Sequence, residues 1–276
     1  MNFERKKFEK QGLKIDKDRV LTYSHLSCPF ECKYCFVDDM NFNQEKGVIY
    51  LSEQQLELME QLPNEIKTIM LGCDTEFFQN KKESLEILKK LIKLNKDISV
   101  ITKLSLSENF IREIKKIDDE LNKNNNFLVF STSLSSLCFS GIWEPGVPSP
   151  QKRIETLESA YKNGLKTLVA LRPLLPTVDN NELERLVNLT KNFCFGYYSG
   201  PLYLKKLDLL TEKEKQDLNI EKIQPHWMPD DNLFYKIEKI GQMNLLKEII
   251  KKNHKPFFDG AAEGIKYLKE NEKHRT

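Results

Sequence analysis

Residues 28 to 35 read CPFECKYC, so three of the six cysteines in a 276-residue chain fall within eight positions. A structural zinc site takes four ligands, and no second Cys-x-x-Cys or His pair follows at zinc-finger spacing; Cys73, Cys138 and Cys194 stand apart from one another. A disulfide would leave one thiol over and is foreign to a reducing compartment. An iron–sulfur cluster held by thiolates remains. Three protein ligands for four irons leave one iron open to bind something else.

Hydrophobic spacing shows what could hold such a loop in place. Six apolar runs, RVLTYS (19–24), KTIMLG (67–72), DISVITK (97–103), NFLVFSTS (126–133), KTLVALRP (166–173) and FCFGYY (193–198), read as buried parallel strands. Helical patterns lie between them. Ser52 caps one over EQQLELMEQL, residues 82–95 repeat Leu and Ile at helical spacing, and Ser107 caps another that runs to Leu121. Ser149 and Pro150 open a fourth that Gly164 closes, and residues 181–191 form a fifth. This alternation predicts an α/β fold: a partial (β/α)6 TIM barrel over residues 1–200. Helical patterns at 211–218, 232–252 and 260–271 predict a mainly helical C-terminal extension, 201–276, that covers the active site. Barrel chemistry sits at the carboxyl ends of strands. The cysteine loop directly follows the first run.

The 43 basic and 41 acidic residues leave a net charge of +2, without the global basic excess that replaces counterions along a duplex. No apolar run is long enough to span a bilayer, and MNFERKKFEKQG lacks the apolar core of a secretion signal. A cytoplasmic protein with no membrane partner is expected. In that compartment clustered cysteines mean metal or catalysis.

Cys-x3-Cys-x2-Cys with an aromatic, Tyr34, before the last cysteine resembles the signature of radical S-adenosylmethionine enzymes. The resemblance implies a 4Fe-4S cluster on Cys28, Cys32 and Cys35, with S-adenosylmethionine on the open iron. It further implies an electron donor such as flavodoxin or ferredoxin. From Leu21 to Pro176 the chain is similar to the spore photoproduct lyase and DNA-photolyase-like branch, through CPFECKYC, LGCDTE (71–76), ITK (101–103), FSTS (130–133) and WEPGVPSPQKRIETL (143–157). Carried over by position, Tyr34, Thr75, Lys103, Ser131, Ser133 and Arg172 bind S-adenosylmethionine, Arg172 mainly through its backbone. Hydroxyl and ammonium donors at strand ends suit a ribose and a charged amino-acid group. Cys73 matches a hydrogen-atom donor; read by itself, it is a small buried hydrophobe. Phe36 stands where that lyase has a tyrosine, so a full relay of that type is not expected. Glu144 opens the EPG turn, as either a loop anchor or a substrate contact. Cys138 and Cys194 read as core.

The composition disfavours duplex DNA, and only 27 residues precede Cys28. A small nucleobase-like molecule is expected instead. In QPHWMPDDNLF (224–234), Trp227 offers an aromatic plane, His226 a titratable ring, and Asp230 and Asp231 carboxylates that could bind amino or amidine hydrogens. A turn with an Asp capping the next helix is the plainer reading. Glu76, beside the expected radical, could act as a catalytic acid and pair with a cationic amine. Compact chains of this pattern are similar to queuine lyases, which implies cleavage of the carbon–nitrogen bond of queuine in deazapurine salvage for tRNA modification. The alternatives are repair of a nucleic-acid lesion and a non-catalytic iron–sulfur module.

Overall fold

The computed structural model describes residues 5–24, 26–37, 50–226 and 232–273. A short helix, α1 (Arg5–Glu9), precedes a hairpin of β1 (Leu13–Asp16) and β2 (Arg19–Thr22). The chain then alternates: α2 (Glu53–Met59), β3 (Thr68–Leu71), α3 (Lys81–Leu91), β4 (Asp97–Thr102), α4 (Glu108–Asn122), β5 (Leu128–Ser133). The short α5 (Ser140–Trp143) and α6 (Pro150–Lys162) lead to β6 (Lys166–Leu171), α7 (Asn180–Thr190) and β7 (Gly196–Ser199). Strands β2 to β7 lie side by side in chain order and all parallel, with β1 antiparallel on one edge. Each of the six apolar runs supplies one of these parallel strands. The fold is a partial, TIM-like α/β barrel.

The helix starts follow from side-chain caps. Ser52 and Gln55 form a reciprocal capping box, Ser107 accepts from the Phe110 N–H, and Ser149 accepts from the Lys152 N–H ahead of Pro150. Each cap satisfies an orphan amide and contributes about 1 kcal/mol.

Alternate strand residues build two separate apolar layers. Ile69, Leu71, Ile98, Val100, Leu128 and Phe130 pack against α2, α3 and α4. Val129, Leu168, Ala170 and Tyr198 face the opposite way, where they meet Phe258, Ala261, Ile265 and Leu268. The last three belong to α10 (Ala261–Lys273). Helix α10 therefore fills the concave side of the sheet. Its approach is close because residue 264 is glycine: a Cβ there would stand 2.7 Å from Leu168 Cδ1.

The segment after residue 200 adds a small sheet to the helices expected there. It begins with β8 (Leu202–Leu204), a one-turn helix α8 (Glu212–Lys215), β9 (Leu218–Ile223) and β10 (Phe234–Lys239), and the three strands form an antiparallel sheet in the order β8-β10-β9. Helix α9 (Gln242–Lys252) and β11 (Phe257–Phe258) follow, and β11 joins the barrel sheet parallel to β7. The buried residues Phe234 and Ile237 are three apart, a helical spacing. In β10 they point to opposite faces, Phe234 toward Leu21 and Tyr23, Ile237 toward a second cluster containing Val169 and Leu171. A strand buried on both sides thus imitated a helix. No helix among the described residues is long and apolar enough to cross a membrane.

Candidate active site

Beyond the carboxyl end of β2, Cys28, Cys32 and Cys35 border a cavity of about 280 Å³, together with the ends of β3, β4, β5 and β6. The cysteine loop is pinned from one side. The Lys33 N–H donates to the Trp143 carbonyl at 2.9 Å, and the Tyr34 hydroxyl donates to the Glu144 carboxylate and lies 3.1 Å from Ser135 Oγ. Glu144 is buried, and its other oxygen receives Arg153 Nη2 at 2.7 Å. This places Glu144 as a loop anchor and gives it no position on the cavity wall.

Lys103, just past β4, brings its ammonium to 3.5 Å from Cys32 Sγ, 3.6 Å from Glu144 Oε1 and 4.8 Å from the Tyr34 ring centroid. Burial alone would lower its pKa; Tyr34, Glu144 and Cys32 around it more than reverse that and hold it well above the ordinary value. Burial would likewise raise Glu144, but Lys103 and Arg153 outweigh it and keep the carboxyl below its ordinary value. Burial raises the Cys32 thiol, with Lys103 opposing.

The LGCDTE segment turns sharply after β3. Gly72 has φ +86, and a Cβ on it would come within 2.6 Å of the Ile101 carbonyl oxygen, so only glycine fits. Its N–H donates to Tyr50 Oη at 2.6 Å. The next residue, Cys73, lines the cavity and donates its S–H to the Met70 carbonyl at 3.4 Å. Burial pushes this thiol up to about 12. Thr75 is also on the wall and accepts from Gln79 Nε2 at 3.4 Å.

Glu76 lies on the cavity wall with its carboxylate already engaged by protein donors. Its Oε1 accepts from the Phe78 N–H at 3.1 Å and from Thr102 Oγ1 at 2.8 Å, and its Oε2 accepts from the Lys103 N–H at 2.9 Å. The carboxylate braces the ends of β3 and β4 against each other. Burial raises its pKa.

Ser131 and Ser133 both point inward at the end of β5, and neither hydroxyl has a hydrogen-bond partner among the described residues. The Ser131 hydroxyl faces Tyr198 without reaching hydrogen-bond geometry, and Ser133 lines the cavity. A buried hydroxyl left unpaired costs about 1–3 kcal/mol, which a nucleoside hydroxyl would recover. Arg172 engages its neighbours through both backbone and side chain. Its carbonyl takes the Ser135 hydroxyl at 3.1 Å, while its guanidinium lies beside Gly200, with Nε 3.1 Å from where a Cβ would be. Thus the side chain of Arg172, as well as its backbone, belongs to the cavity.

Of the C-terminal residues singled out from sequence, His226 is exposed, 4.0 Å from Asp16 and off the cavity wall. Trp227, Asp230 and Asp231 lie outside the described residues. Cys138, expected in the core, is exposed, whereas Cys194 is buried. Sequence reasoning passed over Arg19, Tyr23, Tyr198 and Tyr203, all on the wall. The period of two in β2 carried the signal for the first pair: Arg19, Leu21 and Tyr23 share one face. Arg19 is steadied there by Asp16 Oδ2, 3.0 Å from Nε and 2.5 Å from Nη2.

The donor set fits an iron–sulfur cluster and its bound cofactor. No three His, Cys, Asp or Glu side chains among the described residues converge to hold a single metal ion, whereas a four-iron cluster needs its cysteines spread around it. Cys28, Cys32 and Cys35 border one space, with an ammonium and an unpaired buried hydroxyl on its walls.

Comparison with known proteins agrees. The radical SAM superfamily pattern matches residues 24–190. An uncharacterized protein of Methanocaldococcus jannaschii, MJ0683, is 26% identical over 202 residues, covering 70% of this chain and 73% of the relative. A solved spore photoproduct lyase, a tyrosine-to-phenylalanine variant, superposes with a TM-score of 0.59 at 12% identity over 94% of this chain and 84% of its own. Streptococcus suis SuiB bound to S-adenosylmethionine gives a TM-score of 0.58 at 13% identity over 91% of this chain and 52% of its own. The family match, with three cysteines at the required spacing beyond the first parallel strand, leads to one conclusion: the chain belongs to the radical SAM superfamily, whose cofactors are a 4Fe-4S cluster and S-adenosylmethionine.

Proposed function

We propose that the protein is a radical lyase for a small nucleobase-like molecule, with queuine and its carbon–nitrogen bond as the favoured target. Cluster and S-adenosylmethionine, once reduced by a donor such as flavodoxin or ferredoxin, supply a 5′-deoxyadenosyl radical. The chain's own residues bind and orient. Cys28, Cys32 and Cys35 would hold the cluster; Lys103, Thr75 and Ser133 would receive the amino-acid and ribose groups. Cys73 keeps its S–H at neutral pH and would return a hydrogen atom to the product.

One observation carries the small-molecule reading: a cavity of about 280 Å³ beside the cysteine loop, walled by Tyr23, Phe36, Tyr198 and Tyr203. Aromatic faces suit a planar ring, and the nearby guanidiniums of Arg19 and Arg172 suit its carbonyl edge. Pro201, Tyr203, Gly260 and Ala261, from beyond residue 200, complete the wall, which supports an extension that covers the site.

The test is anaerobic reconstitution, then assay for 5′-deoxyadenosine with queuine, related deazapurines or irradiated DNA. Queuine-dependent 5′-deoxyadenosine and a deazapurine product are expected. Turnover on irradiated DNA alone, with steeply salt-dependent binding, would replace this reading with lesion repair, to which the likeness in fold to spore photoproduct lyase lends weight.

A further inference from the structure

Glu144 and Arg153 are both fully buried, yet their contact is not the two-pronged fork that a self-sufficient ion pair adopts. Arg153 gives Nη2 to Glu144 Oε2 and turns Nη1 to the Ser133 carbonyl at 2.8 Å. That leaves Glu144 Oε1 for two groups of the site, the Tyr34 hydroxyl and, at 3.6 Å, the Lys103 ammonium. The preceding residue, Trp143, grips the same loop through the Lys33 N–H. One carboxylate thus touches the cysteine loop, the lysine after β4 and the helix α6 that follows the EPG turn.

We propose that Glu144 is a positioning residue for the cluster loop: through Tyr34 it fixes the residues between Cys32 and Cys35, and through Lys103 it sets where a positive charge stands beside Cys32. The charges support this. Glu144 with Arg153 is neutral as a pair, so Lys103 leaves one net positive charge 3.5 Å from a cluster ligand. The two ends of Lys103 are held separately, its backbone N–H by Glu76 and its ammonium by Glu144. The assignment rests on the radical SAM reading of the three cysteines and adds a role outside the cavity wall.

The test compares wild type, Glu144→Gln, Tyr34→Phe and Lys103→Met in two states. In the cluster-free protein, hydrogen exchange at the Lys33 and Tyr34 amides should quicken about tenfold in Glu144→Gln and Tyr34→Phe, with the amides of β4 and β5 unchanged. In reconstituted protein, the cluster's midpoint potential should rise in Glu144→Gln, which loses a negative charge, and fall in Lys103→Met. Unchanged exchange, or an unmoved potential in variants that load iron, overturns the proposal. If Glu144→Gln does not fold, the Tyr34→Phe exchange result decides alone, since that change removes one hydroxyl. Wild-type protein that assembles no four-iron cluster sinks the radical reading itself, an outcome distinct from variants that load and behave as wild type.

Discussion

Lys103 Nζ stands 3.5 Å from Cys32 Sγ, so an ammonium accompanies one thiol of the cysteine loop. This cation opposes the burial that raises the Cys32 thiol. It is also the only lysine on the cavity wall among the described residues. Replacing Lys103 with Met should leave iron content intact while weakening S-adenosylmethionine binding by about 1.5–3 kcal/mol, as for a lost charged hydrogen bond. Titration of the reduced cluster's EPR spectrum with S-adenosylmethionine measures this. Unchanged affinity would remove Lys103 from the cofactor site.

Cys28→Ala, Cys32→Ala and Cys35→Ala should each abolish iron–sulfur colour and turnover. Chelation of iron from the wild type should do the same, reversibly. The three residues lie in a loop outside the strands, so circular dichroism melts of the cluster-free variants should stay within a few degrees of wild type. A variant that retained a full four-iron centre would show that its cysteine is not a ligand.

The Cys73 thiol, at about 12, lies above its ordinary 9.0 because it is buried. The folded state therefore holds this proton more tightly than the unfolded chain. The resulting stability is complete below pH 9.0 and lost as pH climbs toward 12. Alkylation should label exposed Cys138 first and spare Cys73 through pH 9 in native protein. Early labelling of Cys73, mapped by mass spectrometry, would contradict the raised pKa of this cavity-wall thiol.

Arg153→Met leaves the Glu144 carboxylate buried without its principal partner. Breaking such a pair from one side should cost about 3–5 kcal/mol in urea unfolding. The double variant Arg153→Met with Glu144→Leu should recover part of the loss. A loss below 1 kcal/mol in the single variant would mean the site relaxes to admit water.

Gly72→Ala should cost about 1–3 kcal/mol for the strained backbone alone. It also forces Ile101 away, since the new methyl would meet the Ile101 carbonyl oxygen at 2.6 Å. Product formation should fall more than S-adenosylmethionine cleavage, because Cys73 is the next residue along the strained turn. Equal loss of both would place Cys73 outside the hydrogen-return step.

The barrel was legible in the sequence because each parallel strand is a short run buried along most of its length and the helices between them carry side-chain caps, as at Ser52, Ser107 and Ser149. Strand β10 was not, because Phe234 and Ile237 bury opposite faces at a helical interval. In the site, motif position located the cysteines, Lys103 and Ser133, which the fold brings to one cavity. It could not show that the Glu76 carboxylate, on the cavity wall, also takes three protein donors, since a carboxylate near a strand end looks the same in sequence with or without them. Arg19 escaped notice because a charged residue opening a strand reads in sequence as solvated, although it shares a face with the wall residues Leu21 and Tyr23.

Helix α10 closes the concave face with Ala261, Ile265 and Leu268, and Gly260 and Ala261 pave the bottom of the cavity. These residues leave the ribosome after every cysteine and every parallel strand. Until they arrive, Leu168, Ala170 and Val129 have only Tyr198 and Phe258 for cover on that face, so the floor of the cavity is completed only once this helix has been made.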